Sequence, residues 1–289
     1  MSPDEQFQTA ARAMIAAAEK GQAVVPVLKR LCPHIYRQIR EDRKYPDLLA
    51  LWGRSLNVDE NVGQVIVHPA ILQAIGELAG VPMRGRIVHA GLQHTYGYLF
   101  SLIETPYGAK RDRWVSTDLE RGFGIDLSLL GEQPREGTLL ANATWFLAQI
   151  VHRGRPRFLC RLQRNARAVA RELIDYYYFR LAVCRIVEQV VLAGKSKRKV
   201  QIFTDLVPFP RPPADPGAEN TLLIYAIKNG VRSQVKLMTA FPVRPAAVQE
   251  IKASVRPRGL APVRLRYNAY VVGLYGRTLR GRRFCANPS

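Results

Sequence analysis

The segment NTLLIYAIKNGVRSQVKLMTAFPV, residues 220–243, decides the fold predicted for the second half of the chain. Its two runs of apolar, β-branched and aromatic residues, 220–230 and 233–243, are joined by a turn that contains Asn229-Gly230. Asn and Gly tolerate the positive φ angles of tight hairpin turns, so this dipeptide is a strong hairpin signal. The segment therefore predicts two antiparallel strands.

The residues around this hairpin predict a small antiparallel sheet with one short helix. KVQIFTDLVPF, residues 199–209, has the composition of a further strand, and the Pro-rich sequence PRPPADPGAE after it predicts a surface loop. PAAVQEIKAS, residues 245–254, begins with a proline, which suits the first turn of a helix. The apolar alternation that begins at Val263 predicts a last strand over 263–276.

A long amphipathic helix is predicted before the sheet, over residues 157–192. Arginines recur there at steps of four, three, three and four residues, which return to the same face of an α-helix. The opposite side is apolar and includes Leu162, Val169 and Leu173. The arginine stripe is either a surface that binds anions or the solvated face of a structural helix. Its members are Arg157, Arg161, Arg164, Arg167 and Arg171.

The first half of the chain combines predicted helices with a glycine-punctuated stretch. Apolar residues keep a helical period over 5–45, and Pro69 suits the start of another helix. Residues 84–108 are rich in β-branched and aromatic residues, which predicts strands and turns, with LFSLIE as a possible short helix. Residues 137–151 fit a buried strand or a helix equally well. The predicted fold class is α+β, with a helical N-terminal region, a central long amphipathic helix, and an antiparallel β-sheet with a short helix in the C-terminal part.

The positive charge of the chain is confined to its second half. Residues 1–150 hold 16 Lys and Arg against 16 Asp and Glu, whereas residues 151–289 hold 27 against 7 and carry the whole net charge of +20. The final segment, 251–289, has nine basic residues and no acidic one. This asymmetry divides the chain into a charge-neutral α+β region and a strongly basic one. It predicts a polyanionic partner for the second region.

Nucleic acid is the favoured polyanion. Tyrosines 176–178, 225, 267, 270 and 275 are available to stack on unpaired bases, which favours RNA over DNA. Arg264 and Arg266 join the helical stripe as expected phosphate contacts. Anionic lipid is disfavoured because no strongly apolar amphipathic face with Trp anchors accompanies the charge.

Several classes of protein are disfavoured by what the sequence lacks. It contains no apolar run long enough to span a bilayer, and its start lacks the pattern of a secretory signal. Cys32, Cys160, Cys184 and Cys285 have no paired spacing, which indicates reduced thiols and argues against a disulfide scaffold or a zinc site. No dinucleotide-binding, P-loop, nucleophile-elbow or EF-hand motif occurs. We expect a cytoplasmic protein with no cofactor, no metal and no membrane partner.

A second candidate site lies in the neutral half, in HAGLQHTYGY. His89 and Tyr96 are candidates for proton transfer or substrate binding, and His94 follows at a spacing that does not suit one shared metal ion. Arg111 and Arg113, in ETPYGAKRDRW, are candidates for clamping a phosphate or carboxylate. These residues predict a pocket for an acidic small molecule. The alternative is a packed sheet whose polar side chains are satisfied by hydrogen bonds, beside a solvated loop.

The strand KLMTAFPV, residues 236–243, carries a resemblance to a known group of enzymes. A hairpin that ends in such a strand resembles the final strands of the compact metal-independent ribonucleases of the barnase, EndoU, colicin and RelE group. The resemblance implies a small sheet packed on helices that cleaves RNA through the 2′-hydroxyl. Lys236, Thr239, Arg266 and Tyr267 would then bind phosphate and transfer protons. The sequence departs from the group because no histidine follows His152.

Three functions remain open on these observations. The first is a nucleic-acid-binding protein that cleaves RNA as a metal-independent ribonuclease, and the second is an enzyme for an acidic small molecule. The third is an RNA-binding accessory protein without catalysis. The charge asymmetry supports the first and third equally, because contacts to the phosphate backbone carry no information about catalysis.

The arginine stripe generates the first prediction. Replacing Arg161, Arg164 and Arg167 together by Glu should abolish nucleic-acid binding, because three attractive contacts to phosphates become repulsive. An electrophoretic mobility shift with labelled single-stranded RNA measures the loss, and circular dichroism checks that the variant stays folded. Binding that survives the change would identify the stripe as a solvated face.

Overall fold

The computed structural model confirms an α+β fold. Helices dominate the N-terminal part, and an antiparallel sheet dominates the C-terminal part. The structure describes residues 3–59, 61–83, 85–106, 108–111, 138–152, 184–192, 198–208, 217, 220–230, 233–253 and 269–270.

Helices separated by short turns form the N-terminal part, and they confirm the helical prediction over 5–45. Proline is the first residue of four of them, where its fixed φ suits a helix and its missing N–H leaves no bond unmade. The fifth helix ends at Gly80, whose φ of 69° is the left-handed conformation that favours glycine. The helices are α1 (Pro3–Glu19), α2 (Val24–Leu31), α3 (Pro33–Asp42), α4 (Pro46–Ala50) and α5 (Pro69–Ala79).

The main sheet has the strand order β5-β6-β7-β8, with every neighbouring pair antiparallel. The predicted hairpin is confirmed. The last two strands of the sheet pair from Thr221 with Val243 to Lys228 with Val235, and Gly230 adopts a φ of 76° in the turn between them. A β-bulge interrupts the pairing between Tyr225 and Ala226. The strands are β5 (Cys184–Leu192), β6 (Arg198–Pro208), β7 (Thr221–Asn229) and β8 (Val235–Val243).

The two faces of this sheet belong to different cores. Because side chains alternate along a strand, Leu222 and Ile224 of β7 face one side and Leu223 and Tyr225 face the other. The first pair joins the large core built by the N-terminal helices. The second pair belongs to a smaller core that includes Ile251 from the predicted short helix, which is present as Pro245–Ala253. The sheet is therefore packed on both faces.

A short segment of the N-terminal part lies against the outer edge of β8. Trp52 forms a parallel bridge with Leu237, the N–H of Gly53 donates to the carbonyl of Leu237 at 2.8 Å, and the N–H of Leu237 donates to Leu51 at 2.8 Å. Such bonds satisfy backbone groups that an edge strand would otherwise leave open. The hairpin is thereby joined to the helical part by its own backbone.

Smaller strands complete the described structure. Strand β1 (Arg54–Leu56) pairs antiparallel with β2 (Ile87–His89) on one side and with β9 (Ala269–Tyr270) on the other. The described residues of the predicted last strand are thus extended, but they pair with β1 rather than with the main sheet. Strands β3 (Glu104–Thr105) and β4 (Gly108–Ala109) form a short hairpin.

Two predictions about the central part of the chain were wrong. Residues 90–100 are helical, as α6 (Ala90–Leu92), a π-helical turn (Gln93–Gly97) and a 3₁₀ turn (Tyr98–Phe100), rather than strands and turns. These residues are buried on all sides, so they show no amphipathic period that would mark a helix. Residues 184–192 form strand β5 and not the end of the long helix, because they pair along their whole length with β6. Residues 157–183 of that helix lie outside the described residues.

The ambiguous segment 137–151 is a helix, α7 (Leu139–His152). Its carboxyl end is tied to the sheet by Arg185, which donates to the carbonyl of Val151 at 2.8 Å and to both oxygens of Asp205 at 2.7 and 2.8 Å. Such a bidentate pair fixes the geometry of both partners. The helix crosses residue 150, and the large core contains side chains from both sides of it. The division of the chain at that residue stays a prediction.

No helix among the described residues is long and apolar enough to cross a membrane.

The close approach of α6 to Trp52 generates the second prediction. A Cβ added at Gly91 would lie 2.6 Å from the indole ring, which is held in place because its Nε1–H donates to Thr144 Oγ1 at 2.7 Å. Gly91→Ala should therefore lower the free energy of unfolding by about 1–3 kcal/mol, as overpacking does. Urea denaturation measures the loss. In a Trp52→Leu background the same substitution should cost much less, and an equal cost in both backgrounds would contradict the proposed clash.

Candidate functional site

His89, the first candidate base, caps the start of α6. Its Nδ1 accepts the N–H of Leu92 at 3.1 Å, so Nε2 carries the ring proton and donates to the carbonyl of Leu49 at 2.9 Å. Burial lowers the pKa of His89 to about 4, and the ring is neutral at neutral pH. A protonated ring would turn an N–H toward the N–H of Leu92. Both nitrogens therefore serve the structure.

His94 follows one turn later and lies inside the core. Its Nδ1 donates to the carbonyl of Ala90 at 2.6 Å, and its ring lies 4.8 Å from the ring of Tyr98. The two histidines face different neighbours and share no ligand position. Within the part of the chain that the structure describes, no group of three His, Cys, Asp or Glu side chains could hold a metal ion.

Tyr96, the third candidate, belongs to a buried hydrogen-bonded cluster centred on Asp42. The hydroxyl of Tyr96 donates to Asp42 Oδ2 at 2.5 Å, and the hydroxyl of Thr138 donates to Oδ1 at 2.5 Å. Thr138 Oγ1 also accepts the N–H of Ala141 and so caps α7. The cluster joins α3, the π-helical turn and α7 through a single carboxyl group.

Burial raises the pKa of Asp42 to about 7, although the bonds from Thr138 and Tyr96 act in the opposite direction. The same burial raises the pKa of Tyr96 well above its usual range. The carboxyl thus titrates near neutral pH in a closed cluster. Asp42 was not predicted from the sequence, although its spacing from Ile35 and Ile39 places it on the buried face of α3.

A second polar group fixes the other side of the π-helical turn. Gln93 accepts a hydrogen bond from Ser55 and donates to Asn57 Oδ1 at 3.2 Å. The side chain of Asn57 bonds the N–H and the carbonyl of Val67 at 3.0 and 2.6 Å. These polar side chains replace backbone partners for a buried loop, which is a structural task.

The cations of the 104–114 segment that the structure describes are buried rather than presented to a ligand. Lys110 forms an ion pair with Asp59 at 2.6 Å, and both side chains are less than a tenth exposed. Burial alone would raise the pKa of Asp59, but the charge and hydrogen bond of Lys110, together with the N–H groups of Asn61 and Val62, outweigh it and the pKa is lowered. Arg111 donates to the carbonyl of Ser101 at 3.1 Å. An anion would have to displace these partners.

The structure brings residues from both predicted sites together at the end of α4. Lys236 Nζ donates to the carbonyl of Ala50, next to the carbonyl of Leu49 that His89 binds. The last carbonyls of a helix have no partners within it, and cations stabilise them. Burial lowers the pKa of Lys236, and its positive charge contributes to the lowered pKa of His89. Both residues therefore satisfy carbonyl groups at the end of α4.

Thr239 is buried on β8 and pairs across the sheet with Tyr225, whose side chain is fully buried. The thiol of Cys32 is also buried, which raises its pKa to about 12 and suppresses its reactivity. The remaining predicted site residues lie outside the described residues. They are Arg113, Arg157, Arg161, Arg164, Arg167, Arg171, Arg264, Arg266 and Tyr267.

Comparisons of the chain with protein-family models, with curated proteins and with solved structures found no match.

Asp42 and His89 should affect the pH dependence of stability in opposite directions. Between pH 4 and 7 the folded state holds a proton on Asp42 that the unfolded state has lost, so this group stabilises the fold at low pH and less as pH rises. Between pH 4 and 6.5 the unfolded state protonates His89 and the folded state does not, so this group stabilises the fold as pH rises.

Chemical denaturation across this pH range separates the two contributions. Relative to the wild type, Asp42→Asn should make the free energy of unfolding rise more steeply, by about 1.4 kcal/mol per pH unit. His89→Asn, which keeps a capping side chain, should lower the slope of the free energy of unfolding against pH by a similar amount per unit. Asp47→Asn, at an exposed position of α4, serves as the control and should leave the slope unchanged. Parallel curves for all four proteins would contradict the assignment.

Proposed function

We propose that the chain binds RNA through residues 151–289. The observation that carries this proposal is the distribution of charge, with 27 Lys and Arg against 7 Asp and Glu in this region and none of the acids in its last 39 residues. Clusters of Lys and Arg bind nucleic acids by neutralising phosphates and releasing counterions. Tyr225 is fully buried and cannot stack on a base, but the other tyrosines of this region supply rings for unpaired bases, which favours single-stranded RNA over duplex DNA. A cytoplasmic location belongs to the same proposal.

Binding without catalysis is favoured over ribonuclease activity by the positions of the polar candidates on β8. Lys236 donates to the carbonyl of Ala50, and Thr239 is buried in the sheet. A catalytic acid or base must reach the proton that it transfers. Cleavage of RNA, which the resemblance of residues 236–243 implies, is the second candidate and would depend on residues such as Tyr267.

An enzyme for an acidic small molecule is disfavoured by a different observation. Of its proposed pocket, His89, His94, Tyr96 and Arg111 are all less than a tenth exposed and bonded to neighbouring groups. A ligand would have to replace bonds to backbone carbonyls and to Asp42. In the RNA-binding proposal these residues have a structural role, because their hydrogen bonds connect segments of the core.

Fluorescence anisotropy with a labelled single-stranded RNA of roughly 20 nucleotides tests the proposal, in EDTA and across a salt series. The affinity should fall about 10³- to 10⁵-fold from low to moderate salt if six to ten phosphates are neutralised. Denaturing gels of the same samples distinguish the two candidates. Intact RNA supports binding alone, and cut RNA would identify a metal-independent ribonuclease. An absence of binding at low salt would contradict both.

A charge-neutralised variant locates the binding region. Replacing four C-terminal arginines by Gln should lower the slope of log affinity against log salt by about three units. A control with the same net charge carries four Gln substitutions at exposed Arg and Lys residues outside residues 151–289 and should change the slope by less than about one unit. Equal effects would mean that only the total charge matters. The variant replaces Arg277, Arg280, Arg282 and Arg283, and the control replaces Arg12, Lys20, Arg54 and Arg86.

A further inference from the structure

Helix α3 presents a cationic face to solvent. Its buried side is formed by Ile35, Gln38, Ile39 and Asp42, which recur at helical spacing and pack toward the core. The side chains opposite them fall within about a third of the helix circumference, at 100° per residue. All of these are exposed except Tyr36, which is half-buried. They are Tyr36, Arg37 and Arg40 on the helix, and Arg43 and Lys44 directly after its last residue.

Two cations lie near the ring of Tyr36. Lys29 Nζ, from the end of α2, and the guanidinium of Arg40 each lie 5.7 Å from the centre of the ring. Arg40 also donates to the hydroxyl of Tyr36 at 3.3 Å. The contact brings the exposed ends of two helices into one patch. We call it the α2–α3 basic surface, and it consists of Lys29, Arg30, Tyr36, Arg37, Arg40, Arg43 and Lys44.

Little negative charge opposes this surface. Glu41 forms an exposed ion pair with Lys44 at 2.7 Å, and Asp42 points into the core. Residues 20–44 hold seven Lys and Arg against two Asp and Glu, whereas the rest of residues 1–150 hold nine against fourteen. The balanced total of the first half therefore conceals a concentrated positive patch. This patch does not stabilise the helix, because like charges at neighbouring positions of one helix repel each other slightly.

We propose that the α2–α3 basic surface binds the phosphate backbone of single-stranded RNA, with Tyr36 stacking on an unpaired base. The proposal rests on the proposed function for the nature of the ligand. It adds a second contact surface, built from other elements than residues 151–289. Rows of cations interleaved with an aromatic ring are the usual means of holding single strands.

The extent of the surface favours a polymer over a single small anion. The cations extend from Arg37 on α3 to Lys44, two residues beyond the end of that helix, and Lys29 extends the patch onto a second helix. One phosphate group cannot contact cations at both ends. A strand of RNA, with a charge at every nucleotide, can.

The composition of the surface disfavours an anionic membrane. A helix that binds a membrane surface needs large apolar side chains that enter the lipid. Among the described residues, the exposed large apolar side chains are Val65, Leu102 and Val187, and none belongs to α2 or α3. The surface carries charge and one aromatic ring, which match RNA.

RNA anisotropy with two triple variants of equal net charge tests the proposal. Neutralising the surface should lower the slope of log affinity against log salt by about two units and weaken binding at moderate salt about 10- to 100-fold. The control should show less than half of each effect. The surface variant is Lys29→Gln, Arg37→Gln and Arg40→Gln. The control is Arg12→Gln, Arg54→Gln and Arg86→Gln, at exposed positions of other elements.

Single variants of Tyr36 test the stacking contact separately. Tyr36→Leu should weaken RNA binding about tenfold, whereas Tyr36→Phe keeps the ring and should bind like the wild type. Thermal melting of each variant checks that the half-buried side of residue 36 still packs. Equal affinities of the Leu and Phe variants would overturn the stacking role.

The failure of the inference and the failure of the proposed function give different results. Wild-type protein that does not bind RNA at low salt would overturn both. Wild-type binding with equal losses for the two triple variants would overturn the inference and leave the proposed function standing. Sedimentation with phosphatidylcholine–phosphatidylserine vesicles supplies a further outcome. Vesicle binding lost only in the surface variant, with RNA affinity unchanged, would overturn RNA as its ligand.

Discussion

The backbone bonds between Leu237 and residues 51–53 hold the two parts of the described structure together. Leu237 uses both its N–H and its carbonyl to bind this segment, so the outer edge of β8 is satisfied by the N-terminal part. Lys236 adds a bond to the end of α4 from the adjacent position. Because β8 is also paired with β7 along its length, the position of residues 51–53 fixes the whole sheet against the helices.

The packing of the sheet against the helices explains the hydrogen bonds made by polar groups in the core. Once the sheet covers the helices, polar side chains between them lose water and need internal partners. His89 and Lys236 bind the end of α4, the Asp42 cluster joins three helical segments, and Arg185 binds the end of α7. Residues that look catalytic in the sequence are therefore used to close helix ends and loops. The cations of the α2–α3 basic surface lie outside the core, which makes them the better indication of a partner.

The fold could be predicted from the sequence wherever its signals are local. Asn229-Gly230 defined the hairpin, and Pro69 and Pro245 marked helix starts, because each acts through the φ angles of its own residues. The turns of residues 90–100 were missed because burial on every side removes the amphipathic period. Strand β5 was missed because only its pairing with β6 distinguishes CRIVEQVVL from helix. The α2–α3 basic surface was missed for another reason. Acidic residues elsewhere in residues 1–150 balance its charge, so the net charge of this half is zero.

The joint at Leu237 also determines when the protein can complete its core during synthesis. The bond from Lys236 to Ala50 spans 186 residues of chain. At the usual rate of translation the ribosome needs roughly 10–40 s to make that length. Until the main sheet is made, the apolar sides of α6 and α7, which contact its strands, remain uncovered. The nascent chain therefore exposes an incomplete core for much longer than does a domain whose contacts join neighbouring segments. During this interval the exposed apolar surface is most prone to aggregate and most in need of a chaperone.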